Sequence, residues 1–265
     1  MSDPLSRYYN QFNEHERLRL PAVGQLEFTR TVGLLTRHLP KAPALVLDVG
    51  GGTGHYAECL SRQGYEVHLL DAVPRHVATA QEREGLASVQ LGDARGLPWP
   101  ERFADIVLLM GPLYHLERAV DRFVALREAE RVLKPGGWLV AAAISRFASL
   151  LDGLTRTRLD DPVFQQIVAD DLEHGVHTNP TGHPEYFTTS YFHLPEELET
   201  EIRGAGFDSV DLYAVEGPVW TAPDLEQRWA DPEKRCYLLE TLERVEREPS
   251  LIGASAHLLA FARKV

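Results

Sequence analysis

The sequence predicts a doubly wound α/β sheet, and three observations carry that expectation. Residues 44–54, ALVLDVGGGTG, are an apolar run that ends in Asp48 and then in glycines; helical periodicity follows at once; and two later apolar runs, at 65–70 and 87–91, are followed by acids of their own, Asp71 and Asp93. Four of the five residues before Asp48 are Ala, Leu or Val, the pattern of a strand buried on both faces of a parallel sheet. The glycines force a tight turn and let a ligand approach the backbone closely. After Gly54, Tyr56, Ala57 and Leu60 share one helical face, and Gly64 is placed to stop the helix. Doubly wound sheets hold nucleotide-like ligands at such a turn, at the carboxyl end of a central strand.

Glycine spacing narrows the ligand. The dinucleotide pattern G-x-G-x-x-G, begun at Gly50, needs a third glycine at position 55, where the chain has His55. What stands instead is Asp48-x-Gly50-x-Gly52-x-Gly54, which resembles the first motif of the class I S-adenosylmethionine (SAM) dependent methyltransferases. The resemblance implies that Asp48, Gly50, Gly52 and Gly54 border the cofactor.

Composition sets outer bounds. At 265 residues the chain is long enough for one large α/β domain with insertions. No charge-free apolar run reaches about eighteen residues, so no membrane span is expected, and the amino terminus is too polar for a signal peptide. Cys59 and Cys236 have no metal or redox spacing, so an unexported, cytoplasmic protein with reduced thiols is expected. The net charge of −12 is uneven: residues 1–144 carry 16 Lys/Arg and 17 Asp/Glu, residues 145–265 carry 11 and 22. Residues 159–202 hold ten carboxylates and no Lys or Arg. Such a surface repels polyanions, so nucleic acid is not an expected partner. The stretch is either a solvated face or a cap that favours a neutral or cationic small molecule.

Residues 1–43 read as two helices, with Val23, Leu26, Val32, Leu35 and Leu39 at roughly helical spacing and Pro40 and Pro43 closing the segment. Tyr8, Tyr9 and Phe12 form an aromatic cluster ahead of it. They staple the helix to the core or, as the resemblance implies, belong to a segment that folds over the cofactor, with Tyr9 the candidate partner of its methionine carboxylate. Asp71 lies 17 residues past Gly54, near the interval at which an acid meets ribose hydroxyls in nucleotide-binding βαβ units. Its alternative is a cap for the helix beginning near Pro74. The resemblance assigns Asp93 to the adenine amine, and adds Ala72, Ala94 and Met110, beside the ends of the second, third and fourth strands, to the cofactor site.

The fourth strand is expected at 104–110, a helix at about 117–133, a turn at Lys134-Pro135-Gly136-Gly137 and a fifth strand at 138–144. Together ADIVLLM, ALREAERVLKPGGWLVAA and the earlier motifs are similar to the ubiquinone-biosynthesis-type methyltransferase group, over about residues 44–144. The resemblance implies a Rossmann-like sheet of seven strands, the last two an antiparallel pair at 209–215 and 255–262. Residues 145–193 and 218–249 interrupt that pattern and are read as cap insertions over the carboxyl edge, the second with a charged helix at 234–248. In the first, Tyr186, Phe187, Tyr191 and Phe192 are cap anchors or a substrate wall. His174 and His177 fall among loop-forming Gly175, Asn179, Pro180 and Gly182, and with His183 and His193 they lack structural-site spacing, so no metal is expected.

The implied reaction is in-line attack by an O, N or C atom of a small-molecule acceptor on the methyl group of SAM, leaving S-adenosylhomocysteine. His115 and Tyr114, in Gly-Pro-Leu-Tyr-His after the fourth strand, are the candidate catalytic residues. An imidazole titrating near about 6.5 suits removal of an acceptor proton; alternatively, His115 satisfies backbone groups beneath the cofactor. A nicotinamide-dependent oxidoreductase and a non-catalytic SAM-binding module are the rival readings.

Overall fold

The computed structural model describes residues 8–9 and 14–265, so Phe12 of the aromatic cluster lies outside the described residues. Strands are numbered in chain order: β1 Leu45–Val49, β2 Glu66–Asp71, β3 Ser88–Leu91, β4 Ala104–Leu109, β5 Leu133–Ser145, β6 Val176–His177, β7 Ser190–His193, β8 Phe207–Ala214 and β9 His257–Lys264. The first five stand parallel in the order β3-β2-β1-β4-β5. β9 runs antiparallel to β5, and β8 antiparallel to β9. These seven strands are the doubly wound sheet, with its antiparallel final pair.

Alternation along β1 explains why both faces are covered. Val46 packs with Leu34, Leu35, Ala57 and Leu60 of the helices Ala22–His38 and His55–Arg62. Leu47 and Val49 pack on the other face with Ala125, Leu126, Leu198 and Ile202 of the helices Ala119–Val132 and Pro195–Gly204. A strand buried on both sides needs apolar residues throughout, and the one exception, Asp48, is fully buried.

The turn expected at 134–137 is a bulge inside β5. Leu133 pairs with Ala104 and Trp138 with Ile106, so four intervening residues of β5, 134–137, stand against the one intervening residue of β4, Asp105. Gly136 (φ +73°) provides the backbone reversal there, and β5 therefore starts five residues earlier than its apolar run.

Two cap strands extend the sheet beyond the expected seven. β4 pairs with β5 up to Ala141, while Ile144 and Ser145 pair in parallel with Phe192 and His193 of β7. Because Ile144 also pairs with His257 of β9, β7 occupies the β5 edge that β4 has vacated. The rest of the first insertion is the helices Ala148–Thr155 and Pro162–His174, joined by a single 3-10 turn, Arg158–Asp160. Asp161 caps the second helix by accepting from the Val163 amide (2.8 Å), with Pro162 at the first helical position. His174 thus ends a helix rather than sitting in a loop.

Part of the acid-rich stretch is engaged by basic partners, two of them outside it. Glu201 binds buried Arg122, Glu197 binds buried Arg146, and Asp171 binds His177. Glu197 thereby ties the cap to the sheet domain, Asp171 and His177 pair within the cap, and Glu201 joins two helices of the sheet domain, so the stretch is not only a solvated face. The second insertion, with helices Leu225–Ala230 and Pro232–Val245, packs on Ala22 and Leu26 of the amino-terminal helix. Among the described residues, no helix is long and apolar enough to cross a membrane.

Candidate functional site

The turn after β1 is built around its glycines. The Gly50 amide donates to the Leu70 carbonyl (2.7 Å), joining the turn to the end of β2. A Cβ on Gly50 would stand 2.5 Å from Pro112 Cδ, and one on Gly51 2.6 Å from Asp48 Oδ2. Among the described residues, a Cβ on Gly52 would meet nothing within 4 Å. Gly52 therefore opens onto empty space, a cavity of about 420 Å³ at the carboxyl ends of β1, β2, β3 and β4.

Of the expected cofactor residues, Tyr9, Gly50, Gly52, Asp71, Ala72, Asp93, Ala94 and Met110 line this cavity, together with Tyr114 and His115. Asp48 and Gly54 do not. The period of two puts Asp48 on the same face of β1 as Val46, behind the turn, and among the described residues both its oxygens are buried without a hydrogen bond. Burial, and next the charge of Asp71, push its carboxyl up to about 7; the nearby Ala57 amide, short of hydrogen-bond geometry, only partly offsets them. Gly54 serves as the left-handed residue (φ +81°) that starts the helix His55–Arg62.

Asp71 is more than a strand-end acid. Oδ2 accepts from the Gly52 amide (2.8 Å), while Oδ1 accepts from the Val73 amide (2.8 Å) and lies 3.2 Å from His76 Nδ1. The carboxylate holds the glycine turn and the start of the next helix together, and Oδ2, with one hydrogen bond from the Gly52 amide, can accept another. Asp93 is half-exposed and gripped by Arg95, whose Nη2 lies 2.5 Å from Oδ2. That hydrogen bond holds the Asp93 carboxyl below its usual range.

His115 differs from its sequence reading. It ends a short helix, Pro112–His115, its Nε2 is 2.8 Å from the Tyr9 hydroxyl, and its Nδ1 is buried with no partner among the described residues. Burial lowers its pKa to about 3, against a smaller opposing effect of Asp71. The value near 6.5 that would suit a base is lost because a charged imidazolium would be stripped of water here. The Tyr114 hydroxyl donates to the Met110 carbonyl (3.1 Å), which folds the loop back on the end of β4.

A second cavity of about 610 Å³ adjoins the first, and the two share Tyr9, Arg17 and Tyr114. Its apolar wall includes Ile144, Phe164, Tyr186, Phe187 and Phe192. Tyr191 is instead an anchor, lying under the Arg122 guanidinium at 3.7 Å. Glu185 alone of the ten carboxylates at 159–202 lines this cavity, so the acid run does not set its charge.

The four histidines of the first insertion do not converge. His177 is held by Asp171 and the Tyr186 carbonyl, His193 faces Glu201, His183 caps a short turn, and His174 is exposed. Among the described residues, metal-ligand spacing occurs instead at Glu27, Glu216 and His257, whose ligand atoms lie within 4.8 Å of one another on the second cavity. Three positions that far apart leave no sequence spacing to read.

A parallel sheet with an antiparallel last strand, and a glycine-floored cavity flanked by two strand-end acids, define a nucleoside-binding α/β transferase. The donor set suits SAM: an open glycine floor, two carboxylates for hydroxyl and amine donors, and on His115 a buried Nδ1 with no partner among the described residues. A methyltransferase-domain family model matches residues 47–141. A ubiquinone/menaquinone biosynthesis C-methyltransferase of Neisseria meningitidis serogroup B is 31% identical over 190 residues, 67% of this chain and 72% of that protein. A ubiquinone biosynthesis O-methyltransferase of Roseobacter denitrificans is 29% identical over 170 residues, 63% of this chain and 60% of that protein. Among solved structures, a Thermotoga maritima SAM-dependent methyltransferase, described as a possible histamine N-methyltransferase, superposes with TM-score 0.62 at 22% identity, covering 98% of this chain and 100% of that one. A Pyrococcus horikoshii protein gives TM-score 0.60 at 16% identity, covering 98% and 99%. The chain belongs to the SAM-dependent methyltransferase family. It is an enzyme that uses SAM as methyl donor, and the nicotinamide and non-catalytic readings have no support among these relatives.

Proposed function

We propose that the glycine-floored cavity is the SAM site, the second cavity the acceptor site, and their shared wall at Tyr9 and Tyr114 the place of methyl transfer. That shared wall is the observation that carries the reading. SAM supplies an activated methyl group, so the chain's own residues align two reactants and exclude water. On this reading Asp71 takes the ribose hydroxyls and holds Gly52 in place. Asp93 shares its oxygens between Arg95 and the adenine amine, since each oxygen accepts more than one hydrogen bond. Gly50, Gly52, Ala72, Ala94 and Met110 give close backbone and apolar contact. Residues 1–43 cover the cofactor through Tyr9, and residues 145–193 and 218–249 cap the acceptor. His115, held neutral by burial, positions Tyr9 rather than accepting a proton.

The acceptor is a small molecule methylated at O, N or C; the curated relatives named above are C- and O-methyltransferases. The neutral or cationic acceptor expected from the acid-rich cap has to be judged from the cavity wall instead. There Arg17, Arg156, Arg158 and His257 face Glu27, Asp152, Glu185 and Glu216, a balance that suits an acceptor of low net charge over a phosphorylated or CoA-linked one. Free Cys59 and Cys236 fit a cytoplasmic setting. The test is incubation with methyl-labelled SAM and a metabolite extract. Label in a small-molecule fraction, with S-adenosylhomocysteine formed, is expected; label only in protein or nucleic acid, or none, would reject the reading.

A further inference from the structure

His257 opens β9 and lines the second cavity. Its Nδ1–H donates to Glu216 Oε1 at 2.6 Å. Glu216 is fully buried, and its Oε2 accepts from the Ser255 hydroxyl (2.8 Å) and the His257 amide (2.9 Å). Glu27 Oε2 stands 3.9 Å from the same Nδ1, and Arg17 clamps Glu27 through two contacts, one of them Nη2 to Oε1 at 3.0 Å. A carboxylate buried this deeply needs a cationic partner, and His257 is the one in contact. Burial pulls the imidazole's pKa down, but Glu27 and Glu216 more than offset it and raise it to about 9. The ring is therefore an imidazolium at neutral pH. With Nδ1 committed to Glu216, Nε2–H is its remaining donor, on a side chain 22% exposed, and among the described residues it has no partner.

We propose that His257 Nε2–H is the hydrogen-bond donor that receives the methyl acceptor, and that the acceptor is an apolar molecule presenting there an oxygen able to carry negative charge. This rests on the reading of the second cavity as the acceptor site. The rest of the wall matches such a molecule: Ile144, Phe164, Phe187 and Phe192 offer apolar and aromatic surface, while Arg17, Arg156 and Arg158 are already paired with Glu27, Asp152 and Glu185. A divalent cation at Glu27, Glu216 and His257 is the competing occupant. It would have to displace both the Nδ1 proton and Arg17, so the geometry favours the imidazolium.

The oxygen belongs either to a carboxylate or to an acidic hydroxyl, and the probes separate the two. Calorimetry on the full chain, saturated with S-adenosylhomocysteine, compares 4-nitrobenzoate, 4-nitrophenol and uncharged nitrobenzene. At least one of the two probes with an acidic oxygen is expected to bind roughly tenfold or more tighter than nitrobenzene, the scale of one hydrogen bond to a charged group. Preference for 4-nitrobenzoate marks a carboxylate; preference for 4-nitrophenol, with the absorbance of bound phenolate, marks an acidic hydroxyl. His257→Gln should abolish the preference and leave S-adenosylhomocysteine affinity unchanged. Affinity for 4-nitrobenzoate should hold from neutral pH and fall as pH passes about 9, the charged groups facing the ring being Glu27, Glu216 and Arg17. Glu216→Gln should move that fall to lower pH. Equal binding of the three probes, no binding of any, a preference that survives His257→Gln, or stoichiometric zinc binding that His257→Gln removes would each overturn the proposal. Failure of the parent protein to bind S-adenosylhomocysteine would overturn the reading of the cofactor site instead.

Discussion

The Tyr9 hydroxyl lies 2.8 Å from His115 Nε2 and joins the amino-terminal segment to the loop after β4 across 106 residues of sequence. Tyr9 also meets His76 edge-on, with ring centroids 4.7 Å apart. This places the tyrosine as the partition between two cavities, where burial keeps His115 neutral.

His115 should therefore be silent as a base and visible in acid stability. Its folded pKa of about 3 lies below the unfolded value of 6.5, so its contribution is fully present above about 6.5 and is lost as pH falls through that value toward 3, at up to about 1.4 kcal/mol per pH unit. Urea denaturation of the parent and His115→Gln at neutral pH and near pH 5 checks this. The variant should lose less stability between the two; an identical pH dependence would show that His115 charges freely in the folded protein.

Asp71 carries two loads, and two substitutions separate them. Asp71→Asn keeps an oxygen for one backbone amide but removes the charge, and should weaken SAM binding by about 2 kcal/mol. Asp71→Ala also releases the Gly52 and Val73 amides and should lower the melting temperature as well. Calorimetric affinity for Asp71→Asn equal to the parent's would remove Asp71 from the cofactor site.

Gly50→Ala should damage the fold itself. Its Cβ would stand 2.5 Å from Pro112 Cδ, at a φ of +74°, which combines a clash with a left-handed residue costing about 1–2 kcal/mol. A clear drop in melting temperature without ligand is expected; an unchanged one would mean that the β1 turn and the Pro112 loop move apart freely.

How far the sequence exposed this site depends on how local each signal was. The β1 turn was legible because Asp48, the glycines and the following helix are contiguous, and the acids after β2 and β3 follow their own apolar runs. Asp48 and Gly54 do not line the cavity, which motif membership could not report: the period of two along β1 turns Asp48 away from it, and Gly54 is used to start the next helix. The β5 bulge was missed because Lys134-Pro135-Gly136-Gly137 reads as a stop, whereas pairing with β4 carries the strand through it. Glu27, Glu216 and His257 come from three elements with no common spacing, and only the antiparallel return of β9 brings them together. His115 was found by position, but its protonation is a property of the burial around it.

The cap should depend on Arg122. This residue is 2% exposed, stacks on Tyr191 and binds Glu201 with Nη2 to Oε1 at 2.6 Å. Arg122→Ala would strand a largely buried carboxylate and should cost about 3–5 kcal/mol. Burial opposes the charge of Glu201, but His193 and Arg122 more than offset it and hold its pKa at about 2. The pair's contribution is present above the unfolded value of 4.5 and is lost as pH falls from there toward 2. Chemical denaturation across that range should show Arg122→Ala closing on the parent as pH falls; a constant gap would deny the linkage.

The central claim, that SAM lies against the glycine floor, is tested most directly by Gly52→Val. A Cβ there meets no atom of the described residues within 4 Å, so the substitution carries mainly the backbone cost of φ +56° and projects into the space assigned to the ligand. Titration calorimetry with S-adenosylhomocysteine should show saturable one-to-one binding to the parent and none to a folded Gly52→Val protein. Equal affinity in the two proteins would contradict the assignment of this cavity to the cofactor.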